Sequence, residues 1–429
     1  VDADGRQATA GAAAAGGGAG WVRRVGPWVG IGTSPAALMM GGGVAEGAEG
    51  VALALTLVAG VAALVALAVT QGVLGQRRRA DLGVLAAGPL GTEGARRVAA
   101  IAMLGMMVGW FGVNVGVAGV AAGRLLGVPE GAGMALVAAL ALATVWRGVG
   151  ALSWAALAAG AATVVLCAWG LHLAADAHGL GLSSARTAED PVGPWAGASL
   201  VVGYGAAFAL RTPDFTRDLA RPRQVLWCGL AGLAVPLTAF ALAGAALQAA
   251  TGTWDVADVL ETLASPAVAY LFVAVGFFGS IMTNIWSGGL ALAQAASARP
   301  GAASRRRRPG QHAAMVAVTG AGLLLAVAGF REEMLGYLIA MAILAPGLAV
   351  LCWLAWRRLR AAPPGWRVPG LAVWAASAAT GLAVEAAGWG WGAPAAATVA
   401  LLGGLRMPDA VGETHGVVAR AGRARGGVR

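Results

Sequence analysis

Gly26-Pro27-Trp28-Val29-Gly30-Ile31-Gly32-Thr33-Ser34-Pro35, running on through apolar residues to Gly41-Gly42-Gly43, opens the first long apolar stretch of the chain. Proline lacks a backbone donor and glycine is a poor helix former, so this stretch cannot run as one continuous helix. It is nevertheless apolar over the roughly 20 residues that a bilayer crossing takes. Broken backbone is tolerated at membrane depth only where it is buried in protein or lines a cavity. Segment 194–213 shares these features: it begins at Pro194, holds Gly197, Gly203 and Gly205, and ends at Pro213. Two Gly/Pro-interrupted segments at corresponding places in two halves point to an inverted repeat with a binding site near the midplane.

On the same yardstick, the first half holds apolar spans at 26–45, 50–74, 98–122, 133–146 and 150–173. The second holds 194–210, 225–249, 266–296, 313–330 and 334–356, and two more follow at 368–387 and 388–405. The expected fold is an all-α polytopic membrane protein of twelve transmembrane helices. Its parts are a disordered Ala/Gly-rich tail (1–25), a first repeat (26–173) and an outer loop (174–193) carrying Asp176, His178, Glu189 and Asp190. A second repeat (194–356), two final spans (357–405) and an Arg-rich tail (406–429) complete it.

The charges agree with this layout. All 30 basic residues are Arg, and only Arg124, Arg186 and Arg331 fall outside one alternating set of connections. Membrane insertion sorts arginines in this way, with the basic set inside. Both termini are therefore expected in the cytoplasm, with the chain in the plasma membrane and in contact with lipid. Charged residues make up 12% of the chain and hydrophobic ones 58%, against about 25% charged in a soluble domain. A net charge of +10 raises the question of nucleic acid. The arginines, however, sit in short loops between apolar runs and form no basic, aromatic-interleaved surface. Arg305 to Arg308 form a loop cluster suited to anionic headgroups. Cys167, Cys228 and Cys352 lie inside apolar segments without paired spacing, which excludes a disulfide framework or thiolate metal site. No His/Cys metal spacing, nucleophile elbow, phosphate loop or paired carboxylates suggest an enzyme.

Three motifs carry a family resemblance. They are Val108-Gly109-Trp110-Phe111-Gly112-Val113-Asn114, then Leu200-Val201-Val202-Gly203-Tyr204 running on to Thr212-Pro213-Asp214-Phe215-Thr216-Arg217, and Thr283-Asn284-Ile285-Trp286-Ser287-Gly288-Gly289-Leu290. In order and spacing, over about residues 26 to 300, the chain resembles the nucleobase-cation symporters, the bacterial cytosine permeases above all. The resemblance implies a LeuT-like fold of five plus five inverted helices with two more, and uptake of a planar heterocycle by alternating access. It makes Trp110 one face of a slot for the ring, since base–aromatic stacking contributes roughly 1 to 3 kcal/mol. Asn114, four residues on, shares that helical face and can donate and accept at a heterocycle's edge. Thr33 and Asn284 are further candidates for that edge.

The chain departs from the family on the opposing face. The second stacking aromatic aligns with Gly205, with Tyr204 one position earlier, so either Tyr204 swings in or the sandwich is one-sided. Met107 replaces the Gln of cytosine permeases, which favours a bulkier or more apolar ring than cytosine. For the coupling ion the resemblance implies sodium, held by carbonyls near Val29, Gly32 and Gly276 and by hydroxyls of the eighth helix. Of the family's hydroxyl pair Ser280 remains and the other aligns with Gly279, while Thr283 lies one turn along. Proton coupling wants an ionisable group inside the membrane, and Glu46, Glu385 and His172 lie toward the outer ends. Asp214 and Arg217 are expected to pair with each other or with Arg77 to Arg79 as an inner gate. No organic cofactor is implied, and the chain is expected to act as a monomer. Two alternatives stay open: a non-transporting sensor of the same fold, and a proton-coupled or uncoupled permease for a thiamine precursor, hydantoin or allantoin.

Overall fold

The computed structural model describes residues 20–22, 24–179, 181–182, 193–254, 256, 259, 266–296, 309–359 and 361–407. Most of both expected tails, much of the outer loop and the Arg305 to Arg308 cluster therefore lie outside the described residues. Among those described, every regular element is helical.

The opening stretch is broken where its sequence requires. α1 (Gly26–Gly32) stops at Thr33, and α2 (Pro35–Ala45) begins after Ser34, whose backbone is extended. The Ser34 hydroxyl accepts from the Ala36 N–H at 3.4 Å, and Pro35 occupies the first helical position, where no donor is needed. α3 (Gly50–Arg78) follows. α4 (Leu82–Gly94) runs through a π turn at Ala95–Ala99 into α5 (Ala100–Leu126), and α6 (Glu130–Trp146) and α7 (Val149–His178) close the first half. The second half is α8 (Pro194–Thr216), α9 (Pro222–Trp227) with a π turn at Cys228–Ala234 into α10 (Val235–Thr251), then α11 (Pro266–Gly276) and α12 (Phe278–Ala296), separated by Phe277. α13 (Pro309–Val327), α14 (Met334–Arg358), α15 (Val368–Ala386) and α16 (Gly392–Arg406) complete the described helices.

Eight helical stretches are long and apolar enough to cross a membrane. Of the rest, 26–45 is broken, 130–146 and 392–406 are short, and 194–216 is less apolar. Large apolar side chains such as Leu55, Trp154, Val165 and Leu324 point outward. That surface suits hydrocarbon and not water.

Two expectations are corrected here. The counterpart segment at 194–216 is not broken, because its proline sits almost at the helix end. Pro213 withholds an N–H from the Ala209 carbonyl, and the Thr212 hydroxyl reaches that oxygen at 2.9 Å instead. The second correction is the third span, which begins well before residue 98. Residues 82–94 form a buried helix, kinked at Gly91 beside Pro89, which the yardstick of 20 uninterrupted apolar residues passes over.

The packing has the pairing that a repeat demands. α2 packs on α10 as α8 packs on α3, α5 on α6 as α12 on α13, and α1 on α7 as α8 on α14. Five crossings are an odd number, so the second half of such a repeat is inverted. The first two contacts are unusually intimate. A methyl on Gly41 would fall on the Ala241 carbonyl and one on Gly244 on the Leu38 carbonyl, so backbone meets backbone between α2 and α10. Across the other pair, Thr212 and Thr216 hydroxyls reach the Ala68 and Gly72 carbonyls of α3, each at 2.8 Å. The described arginines of the basic connections collect at one end of the bundle. There Arg24 pairs with Asp218 at 3.3 Å, Arg79 donates to the Arg217 carbonyl at 3.2 Å, and Arg367 donates to the Gly88 carbonyl at 3.0 Å.

Candidate binding site

The break in the first helix is the nucleus of the site. Where α1 stops, the Ile31 carbonyl loses its helical partner, and the Tyr204 hydroxyl of α8 donates to it at 2.5 Å. Trp110 on α5 lies edge-on to Tyr204, with centroids 5.7 Å apart at 87°, and to Tyr337 of α14, at 5.7 Å and 81°. The Tyr337 hydroxyl donates to the Met106 carbonyl, and Gly109 leaves room for its ring. Asn114, Arg211 and Asn284 help to wall the same cavity, which is about 30 Å³. That is room for roughly two waters and not for a heterocycle, so Trp110 or Tyr204 must turn to admit a ring.

The cavity's polar atoms are conspicuous for what they lack. Asn114 and Asn284 are 1% and 5% exposed, and the Asn114 carbonyl oxygen and the Asn284 amide nitrogen are both buried without a partner. Buried polar groups normally pair, and an orphaned one is costly. One unpaired acceptor and one unpaired donor on the same wall match the donor and acceptor edge of a planar amide ring. The sequence-derived set therefore divides. Trp110, Asn114, Tyr204 and Asn284 come together on the cavity, joined by Ser280 and Thr283. Gly205 and Thr33 do not: a Cβ on Gly205 would meet Leu64 of α3, and Thr33 lies against Gly160 of α7. Tyr204, one residue before Gly205, is the one turned inward.

Among the residues named for a cation, Val29 has its carbonyl oxygen engaged within the protein. The Val29 carbonyl accepts from both the N–H and the hydroxyl of Thr33, each at 2.8 Å. The Thr283 hydroxyl donates to the Gly279 carbonyl at 2.9 Å. Gly276 is pressed against Pro35, and Gly30 of α1 against Gly279 of α12. With both its lone pairs engaged, the Val29 carbonyl is closed to a cation in this conformation, whereas the Thr283 hydroxyl, a donor here, keeps its lone pairs.

The expected pairing of Asp214 and Arg217 is also corrected. Asp214 takes two hydrogen bonds from Arg211 on one carboxylate oxygen, at 3.0 and 2.6 Å. Its other oxygen accepts from the Leu82 N–H at 2.9 Å, at the start of α4, where a carboxylate is favoured by the helix dipole. Arg217 pairs with Asp81 at 2.8 Å, and Asp81 also caps α4 through the Val84 N–H at 3.1 Å. Burial first and the neighbouring Asp214 second hold the Asp81 carboxyl above the usual carboxylate range, against Arg217 and the Val84 N–H. A span ending at residue 210 left Arg211 in a loop, yet its side chain is 3% exposed. The signal was present: Arg and Asp three residues apart on a helix face each other. Tyr337 carried no comparable signal, since only folding brings α14 to Trp110.

No protein-family model matches the chain, and no curated protein matches it in sequence. Its fold is similar to that of Mhp1, a nucleobase-cation-symport-1 family transporter, in a closed conformation with bromovinylhydantoin bound. There the identity is 17%, the TM-score 0.74, and the match covers 89% of this chain and 90% of that one. The inward facing conformation of Mhp1 matches at 16% identity and TM-score 0.71, over 90% and 89% of the two chains. A Na+-coupled sialic acid symporter in a substrate-bound outward-open state matches at 12% and 0.64, over 91% and 89%. At these identities the likeness is one of fold, and the fold is the LeuT-like one expected. The family that the three motifs resemble is that of the first of these structures.

Proposed function

We propose that the chain is a secondary transporter that carries a nucleobase or related planar heterocycle across the plasma membrane by alternating access. The observation that carries this reading is the pair of orphaned amide atoms on Asn114 and Asn284, facing one cavity beside Trp110. A ring stacked on Trp110 would satisfy both at once, and turning Trp110 or Tyr204 would open the slot. The halves 26–173 and 194–356 would act as the inverted repeats, with the loop 174–193 outside and the arginine-rich end in the cytoplasm. Trp110, Tyr204, Asn114 and Asn284 are assigned to the substrate, and Asp214 with Arg217 to the inner closure through Arg211 and Asp81.

Sodium is the coupling ion this reading favours over the proton. No carboxylate or imidazole lies among the described residues of the cavity wall, and a proton relay needs one. Val29, Gly32, Gly276, Ser280 and Thr283 remain the candidate ligands, and the Val29 carbonyl would first have to release Thr33.

The test is tryptophan fluorescence of the purified protein titrated with cytosine, uracil, hypoxanthine, hydroxymethylpyrimidine, thiamine, allantoin and hydantoins, with and without sodium, followed by flux in proteoliposomes. Saturable quenching that disappears in Trp110→Ala, together with flux, is the expected result. Binding without flux would replace the transporter by a sensor of the same fold, and no response to any compound would sink the heterocycle reading.

A further inference from the structure

Arg211 is the only charged side chain on the cavity wall among the described residues. It lies on α8, one turn before the helix ends, and its side chain is buried, which is costly for a guanidinium and commonly marks a functional site. Its Nε and Nη2 are spent on Asp214, but its Nη1 is buried with no partner. A latch to Asp214 needs only the two donors it uses. Arg211 lines that cavity, whose other polar groups are neutral amides and hydroxyls, and also a smaller neighbouring one shared with Asp214 and Gln294.

The charges around Arg211 balance, with Asp214 answering Arg211 and Asp81 answering Arg217, so what the cavity receives is an unmade hydrogen bond of a guanidinium and not an excess of charge. Asp214 divides itself between Arg211 and the Leu82 N–H at the start of α4, so part of its negative charge is already answered by a helix N-terminus. A ligand oxygen reaching Nη1 would make a charge-assisted hydrogen bond, and these are shorter and stronger when the acceptor is ionised. Planarity and the fixed fork of the guanidinium also favour a flat carboxylate or enolate over a rounded group.

We infer that Arg211 is a substrate-binding residue that selects an acidic heterocycle, one whose carboxylate or ionised ring oxygen sits on Nη1 while the ring lies toward Trp110. The inference rests on the heterocycle reading above and narrows its substrate class. It is tested with matched probes, uracil against orotate and hypoxanthine against urate, by titrating the purified full-length protein. The acidic member of a pair should bind at least about tenfold tighter, the scale of one hydrogen bond to a charged group. Arg211→Lys, which keeps the charge beside Asp214 but loses the fork, should shrink that ratio. Arg211→Gln combined with Asp214→Asn, which removes both charges together, should bring it near one; unfolding midpoints report whether each variant is folded. Equal or tighter binding of the neutral members to the wild-type protein overturns the inference and leaves the heterocycle reading standing. So does an acid preference that persists in the folded double variant. If no member of either pair binds, the heterocycle reading falls and this inference falls with it.

Discussion

Two neighbouring regions of the molecule treat their polar atoms in opposite ways. On the cavity wall, Asn114, Asn284 and Arg211 each keep a buried donor or acceptor unpaired. At the Thr33 break, by contrast, the Val29 carbonyl holds two donors, the N–H and the hydroxyl of Thr33. Buried unpaired groups cost stability, whereas paired ones are close to neutral. Orphaned side-chain atoms also occur away from the cavity, at Trp28, Gln71, Gln76, Ser153 and Gln248 among others, and what sets Asn114, Asn284 and Arg211 apart is that they line one cavity. The paired kind is structural until something outbids the existing partners.

The difference can be broken by substitution, and the largest effect is expected at the ring. Trp110→Ala removes a stacking surface and should weaken binding of the true ligand by about 1 to 3 kcal/mol; titration calorimetry on the folded variant checks it, and unchanged affinity would remove Trp110 from the site. Next come the amides. Asn114→Leu should cost about tenfold in affinity while the unfolding midpoint holds or rises, because the atom deleted has no partner in the protein. A fall in both would mean that Asn114 is a packing residue. Thr33→Val should do the reverse, lowering stability by about 1 kcal/mol with substrate affinity in sodium-free buffer unchanged. A large affinity loss there would put Thr33 back on the substrate.

The smallest effect is expected from pH. Because the Asp81 carboxyl is held above its usual range, the arrangement described here binds that proton more tightly than one in which Asp81 is hydrated. Its charge therefore works against this arrangement at neutral pH, and the penalty fades as pH falls through the raised value. Thiol labelling of Ala80→Cys, against a background of three buried native cysteines and divided by the rate of the same variant unfolded at each pH to remove the change in thiolate fraction, should slow on acidification. Faster labelling would reverse the sign.

What was legible in the sequence was whatever depends on local chemistry. Gly30, Gly32 and Pro35 announced a broken helix because a missing donor and poor helix propensity belong to the residues themselves. Trp110 and Asn114 announced a shared face because four residues make a turn. Pro213 misled because the remedy, the Thr212 hydroxyl on the Ala209 carbonyl, depends on rotamer and not on composition. The 82–94 helix was missed because its glycines and Pro89 break an apolar run that tertiary packing sustains. Gly205 was assigned to the site by alignment alone, and a one-residue rotation on α8 gave that place to Tyr204.

The backbone contact between α2 and α10 constrains any motion of this molecule. Side chains that interdigitate can change rotamer and slide, but two main chains in direct contact have no such slack. Since α2 comes from the first half and α10 from the second, the halves cannot rock past each other as separate bodies at that seam. The threonine hydroxyls that tie α8 to α3 bind the halves a second time. By the same reasoning Gly203 of α8, where a methyl would fall on the Leu338 carbonyl, ties α14 to this unit, so any piece that moves would be a composite of α1 to α3 with α8 to α10 and the adjoining part of α14. Spin-label distances should stay fixed between α2 and α10 and change between α2 and α5 when ligand is added; the opposite pattern would dissolve that rigid unit.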